Sequence, residues 1–75
     1  MKFDCKIEKE IGALSETDGG AVKKLCLISW DNAPPKYDLR VWMTDRKGDV
    51  VPCKGLAMTE EEAKRLYRLL SECFQ

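Results

Sequence analysis

The clearest sign of chemistry in this 75-residue chain is a tryptophan among charged residues near its middle. Apolar and polar residues alternate here, which predicts a strand with two different faces. The predicted core face carries Tyr37, Leu39, Val41 and Met43, and the outer face carries Lys36, Asp38, Arg40, Trp42 and Thr44. An indole beside a guanidinium on a polar face suits stacking of an unpaired nucleobase while cations hold the phosphates. The alternative is a surface tryptophan covered by a loop or by a partner subunit.

The distribution of charge supports the first interpretation. The formal net charge is zero, but residues 20–58 carry seven Lys or Arg against four Asp, whereas the segments before and after are acidic. These cations either line a binding groove or are simply solvated; they are Lys23, Lys24, Lys36, Arg40, Arg46, Lys47 and Lys54. Trp30, at the end of an earlier apolar segment, is either a second stacking residue or a core residue at the sheet margin.

Composition excludes several other classes. The chain has no histidine, so the commonest general base is missing and a Cys or Ser nucleophile lacks an activator; we expect no enzymatic activity and no cofactor. The four cysteines, at positions 5, 26, 53 and 73, form no C-x-x-C pair, and we interpret them as small apolar residues and not as metal ligands or disulfides. No apolar run is long enough for a membrane helix, and charges interrupt the N-terminus, which predicts a cytoplasmic protein.

Four strands and one helix position these residues. A half-buried strand is predicted from Phe3 to Ala13, a more buried one over Val22–Trp30 and a third over Lys36–Thr44. Turns are predicted over residues 15–20, 31–35 and 45–48. A short fourth strand begins near Val50, and Pro52 confines it to an edge. The coarse fold is therefore α+β: a four-stranded antiparallel meander followed by one C-terminal helix.

The helix is predicted to begin after Thr59, because Thr59 and Glu62 have the spacing of a capping box. Its apolar stripe is wide for a helix that covers one small sheet. The stripe consists of Ala63, Leu66, Tyr67, Leu69, Leu70, Cys73 and Phe74. Either it closes the core of its own chain, or part of it packs on a twin helix in a homodimer. For the homodimer, the interface residues are Leu66, Leu70, Cys73 and Phe74.

One stretch of sequence is recognisable. The string Ser-Trp, Pro-Lys-Tyr-Asp-Leu-Arg-Val-Trp within residues 29–42, followed by Lys54-Gly55-Leu56 and residues 59–62, closely resembles the bacterial YdbC-like branch of the transcriptional positive cofactor 4 family. The resemblance covers nearly the whole chain. It implies a curved sheet, dimerisation through the helices, and sheet surfaces that bind single-stranded nucleic acid. It also implies that Trp30 and Trp42 stack on bases and that Lys36, Arg40 and Lys54 are cationic contacts, with Lys23 and Lys24 beside them.

Residues 1–75 are thus predicted to be one single-stranded nucleic-acid-binding domain, a homodimer that binds single-stranded DNA, or RNA, without sequence preference. Its expected role is in transcription regulation, replication or repair, with proteins of transcription or replication as further partners. A first rival is a protein-interaction module that docks a partner on the Trp42 face, and the neutral charge favours it. A second is a small redox or metal protein that uses the four thiols.

Overall fold

The structure, a computed structural model, describes residues 4–75, so the predicted strand residue Phe3 lies outside it. Four antiparallel strands form one open sheet in chain order: β1 (Cys5–Glu16), β2 (Val22–Trp30), β3 (Lys36–Thr44) and β4 (Val50–Met58). One helix follows, α1 (Glu60–Cys73). The predicted α+β meander is confirmed, with β4 at an edge, although β4 is as long as β2 and β3. Within residues 4–75 no helix has the length and apolar character needed to cross a membrane.

The turn between β3 and β4 forms as its residue types predict. The Asp45 carboxylate accepts hydrogen bonds from the backbone N–H groups of Lys47 and Asp49, each at 2.9 Å. Gly48 has φ of +90°, a conformation that residues with a side chain rarely adopt. This turn joins β3, which carries Lys36, Arg40 and Trp42 of the predicted site, to β4, which carries Lys54.

β1 departs from the prediction. Its pairing with β2 contains three register shifts, after Ile7, Glu10 and Ala13, and the strand continues to Glu16. Each bulge inserts an extra residue, so the simple alternation of apolar and polar faces is lost. Ile7 and Ile11 are exposed, and the predicted half-buried strand is instead a mostly exposed edge strand.

The two faces of the sheet are also buried differently from the prediction. The side chains here named the tryptophan face are those of Lys24, Cys26, Ile28 and Trp30 on β2 and of Lys36, Asp38, Arg40 and Trp42 on β3. Cys26 and Ile28 are completely buried on this face, and Trp42 is only 4% exposed. The opposite side, here named the leucine face, carries Lys23, Leu25, Leu27, Tyr37, Leu39, Val41 and, on β4, Leu56.

The prediction that Tyr37, Leu39, Val41 and Met43 form the core face is therefore wrong. Tyr37, Leu39 and Val41 are half-buried, and Met43 is exposed. Alternation shows which side of a strand is apolar, but it does not show which side receives a cover. Here the tryptophan face is covered by its own long side chains, whereas the leucine face lacks a complete second layer.

α1 explains why the leucine face stays open. The capping box forms as predicted, with Thr59 Oγ1 accepting from the Glu62 N–H at 3.1 Å and Glu62 Oε1 accepting from the Thr59 N–H at 2.8 Å. None of the fourteen residues of α1, which all belong to the described part of the chain, is buried. The possibility that the helix closes the core of its own chain is therefore wrong. Its stripe stays in solvent: Leu66, Leu70, Cys73 and Phe74 are all exposed, Phe74 by 83%.

Candidate nucleic-acid interface

The centre of the tryptophan face is a buried carboxylate. The Asp38 side chain is completely buried and forms a bidentate ion pair with Arg40. Arg40 Nε donates to Oδ1 at 2.8 Å, and Nη2 donates to Oδ2 at 3.0 Å. The indole Nε1 of Trp30 donates a third hydrogen bond to Oδ2 at 3.1 Å. Because residues two apart on a strand share a face, β3 brings Asp38 and Arg40 together directly. The carboxylate thereby orients two of the predicted binding residues.

Arg40 is fixed on its other side as well. Its Nη1 donates to the carbonyl oxygen of Cys53 on β4 at 2.8 Å, and its Cζ lies 5.0 Å from the centre of the Trp30 ring. Gly55 makes room for this path, because a Cβ at that position would lie 2.6 Å from both Cβ and Cγ of Arg40. The glycine of the Lys-Gly-Leu motif therefore lets the arginine cross the edge strand.

A shallow pocket opens beside Trp30 and Arg40. It has a volume of about 280 Å³ and is lined by Trp30, Arg40, Pro52, Cys53 and Ala57. One wall is an indole and a guanidinium in contact, a surface on which planar aromatic rings stack favourably. The arginine charge is already compensated by Asp38, so the pocket offers flat surface and hydrogen-bond donors more than free positive charge.

Trp42 lies on the same face but is not open to solvent. Lys24 covers it, with Nζ 5.3 Å from the ring centre, and Lys24 is in turn paired with Glu10 on β1 at 3.3 Å. The expectation that Trp42 stands exposed on an outer face is therefore wrong for this conformation of the single chain. The indole N–H of Trp42 is buried and has no hydrogen-bond partner among residues 4–75.

The remaining predicted contacts divide between the two faces. Lys36 is exposed at the start of β3, on the tryptophan face. Lys23 and Lys54 line a groove of about 370 Å³ on the opposite side, together with apolar side chains of the leucine face and with Arg40. The structure thus brings five of the seven predicted residues together on one face, Lys24, Trp30, Lys36, Arg40 and Trp42. Lys23 and Lys54 lie on the other side, where they share a groove with Arg40.

Three residues of this arrangement were not predicted from the sequence. The alternation places Asp38 on the same side of β3 as Arg40 and Trp42, and the Asp-x-Arg spacing on a strand is a signal that indicates its ion pair. Glu10 had no such signal, because three bulges stand between the sequence of β1 and its register against Lys24. Gly55 needed the path of the Arg40 side chain, which only the structure shows.

The four cysteines are free thiols and do not form a common cluster. Burial raises the pKa of the Cys5 and Cys26 thiols above its ordinary value, so both stay protonated at neutral pH. In the part of the chain that the structure describes, no three Cys, Asp or Glu side chains lie together in a way that would hold a metal ion. Cys53 lines the pocket beside Arg40, and Cys73 is exposed on α1.

Fold and site together define a small protein with one open antiparallel sheet, one projecting helix and a face on which two indoles are paired with two cations. No family model matches the chain. It is 33% identical over 69 residues to an uncharacterized protein of Treponema pallidum (strain Nichols), an alignment that covers 92% of this chain and 78% of that protein. The chain belongs to the same family as that protein.

Proposed function

We propose that this chain is a non-enzymatic, sequence-nonspecific single-stranded DNA-binding protein that acts as a homodimer, as its resemblance to the YdbC-like branch of the positive cofactor 4 family implies. The observation that carries the proposal is the presence of two indole–cation pairs on one sheet face, Trp30 with Arg40 and Trp42 with Lys24. Aromatic rings beside cations are the combination that binds unpaired bases without reading their sequence. Its expected place is the cytoplasm, in transcription regulation, replication or repair.

The residues take different parts in binding. A base stacks in the pocket beside Trp30, while the exposed ammonium of Lys36 holds a backbone phosphate. Arg40 contributes flat surface and N–H donors, because Asp38 compensates its charge. Lys54, on the edge strand, extends the path of the phosphates around the edge of the sheet, and Lys23 is the least connected of the predicted contacts.

The homodimer is supported by the surface that the single chain leaves open. Its accessible surface is 6178 Å², whereas a compact monomer of its mass exposes about 4,700 Å². The excess of roughly 1,500 Å² is the size of one side of a large, obligate interface. The apolar stripe of α1, with Leu66, Leu70, Cys73 and Phe74, supplies the side chains for it. A dimer would also join two tryptophan faces, which raises the overall affinity for a strand that reaches both.

A second candidate function is a protein-interaction module that docks a partner on the Trp42 face. The specific observation in its favour is that the two half-buried cations of the tryptophan face are already paired, Arg40 with Asp38 and Lys24 with Glu10. A face with compensated charge and partly exposed aromatic surface is typical of protein interfaces as well.

A titration of the protein with labelled oligo-dT and with duplex DNA at several salt concentrations tests the proposal. We expect tighter binding to oligo-dT, with Trp30→Ala weakening it by about 1–3 kcal/mol because one stacked base is lost. Lys36→Gln is expected to reduce the dependence of log K on log salt by about 0.7, since one phosphate contact is removed. Lys64→Gln, the same charge change on α1, is the control and leaves the dependence unchanged. A folded wild type that does not bind oligo-dT even at low salt contradicts the proposal and favours protein docking.

A further inference from the structure

The indole of Trp42 has an unusual combination of contacts. It is 4% exposed, and its N–H is the one buried side-chain nitrogen or oxygen that lacks a hydrogen-bond partner among residues 4–75. A buried donor without an acceptor makes this closed arrangement less stable than one in which an acceptor is supplied. An unsatisfied donor of this kind in a candidate binding face is available to an acceptor on a ligand.

The cover above this indole is held by a weak contact. The Lys24 side chain is 15% exposed, and its ammonium lies between the Trp42 ring and the carboxylate of Glu10. Glu10 itself is largely exposed, and an ion pair with an exposed carboxylate at 3.3 Å contributes little and is screened by salt. The ammonium can therefore exchange this carboxylate for another anion at small cost.

We propose that Glu10 is a further residue of the nucleic-acid site, where its carboxylate occupies the position of a phosphate on Lys24 until a strand binds. The phosphate replaces Glu10 on the ammonium, Lys24 moves off the ring, and the indole N–H of Trp42 gains an acceptor on the bound strand. The ligand class is a single-stranded polyanion with unpaired bases. The inference rests on the proposed function, and it explains how a covered indole takes part in binding.

The first test compares Glu10→Gln with Glu8→Gln. Both substitutions remove one negative charge from β1, so they change the net charge equally. They differ in the partner lost, because the 3.9 Å ion pair of Glu8 is with Lys6 and not with Lys24. We expect Glu10→Gln to bind oligo-dT roughly two- to fivefold more tightly than Glu8→Gln, because phosphate no longer competes with a carboxylate. Equal affinities of the two variants overturn the inference, since the effect is then one of net charge alone.

The second test needs no nucleic acid. In a Trp30→Phe background Trp42 is the only tryptophan, and acrylamide quenching reports how far its indole is covered. We expect quenching to increase with Glu10→Gln and to stay constant with Glu8→Gln; no increase means that Glu10 does not hold the cover and overturns the inference. If the cover opens but the wild type does not bind oligo-dT, the proposed function fails and with it the role of phosphate.

The third test follows the Trp42 indole N–H of the wild-type protein by nuclear magnetic resonance. Assigned with the help of Trp42→Phe, this signal is expected to move on addition of oligo-dT by more than the backbone signals of α1. A Trp42 signal that stays in place while binding occurs shows that the indole remains covered and contradicts the inference.

Discussion

The buried carboxylate of Asp38 organises the tryptophan face. Asp38 is stable in this position because three N–H groups from Arg40 and Trp30 replace the water that burial removed. A buried charge is strongly unfavourable without such partners. The same three contacts that satisfy the buried Asp38 carboxylate also hold the two side chains that form the wall of the pocket, so the fold and the proposed binding pocket depend here on one residue.

Removal of this charge is expected to destabilise the fold. Asp38→Asn leaves the Arg40 guanidinium half-buried without a counter-charge, which lowers the free energy of unfolding by about 3 kcal/mol in urea denaturation. The control is Asp31→Asn, at a position with φ of 50° that asparagine adopts as readily as aspartate. Equal stability of the two variants would show that the Asp38 ion pair contributes nothing net.

The buried thiols give a prediction about pH. Because burial raises the pKa of Cys26 in the folded protein, the thiol form is favoured by folding. This stabilisation is complete below the unfolded pKa of about 8.5 and is lost as the pH rises through the higher folded value. Urea denaturation of the wild type is expected to show a steeper loss of stability above that pH than Cys26→Val. Alkylation of Cys26 at pH 8 is expected to be far slower in the folded protein than in urea; equal rates contradict the burial of Cys26.

Local sequence patterns predicted individual elements correctly, but they did not predict which face of the sheet is buried. The bounds of β3, the Asp45–Gly48 turn and the Thr59 capping box depend on neighbouring residues, and each is confirmed. Which side of β3 is buried depends on what covers it. The cover is provided by the long side chains of Lys24 and Arg40, which a pattern of apolar and polar residues counts only as polar. The register of β1 depends on bulges, which leave no local mark in an alternating sequence.

The pairing of β3 with β4 gives a prediction at this scale. Gly55→Ala would place a methyl group 2.6 Å from Arg40 Cβ, Arg40 Cγ and the backbone oxygen of Leu39. Since the backbone oxygen cannot give way, we expect a loss of about 1–3 kcal/mol in thermal or urea unfolding, together with weaker binding of oligo-dT. Gly12→Ala is the matched control, because a Cβ there meets nothing within 4 Å. A stable Gly55→Ala protein with unchanged binding would show that Arg40 does not need its path across β4.

The whole molecule is flat and extended for its size. Its extents are 43 × 32 × 17 Å, and its radius of gyration is 13.6 Å, compared with about 11 Å for a compact domain of 75 residues. A sheet with one open face and a helix with an exposed apolar stripe account for the difference. Both features are expected in a subunit whose core is completed by a second copy.

From this shape we predict that the protein is a dimer. Analytical ultracentrifugation of the wild type is expected to give twice the chain mass of 8.6 kDa. Leu70→Glu is expected to give monomeric or unfolded protein, because it places a charge in a dry interface. Arg68→Glu, on the polar side of α1, keeps the dimer and serves as the control. A well-folded wild-type monomer at high concentration contradicts the proposed dimer whatever the variants do.

The two edges of the sheet disfavour strand-to-strand association between molecules. β1, the longer edge, is interrupted by three bulges, and β4 carries Pro52, which has no backbone N–H to donate. Neither edge therefore presents an unbroken row of donors and acceptors to a neighbouring strand. Growth of the sheet from one molecule to the next, the first step towards amyloid-like fibres, is disfavoured at both ends, which leaves the helix and the leucine face as the surfaces for the proposed dimer.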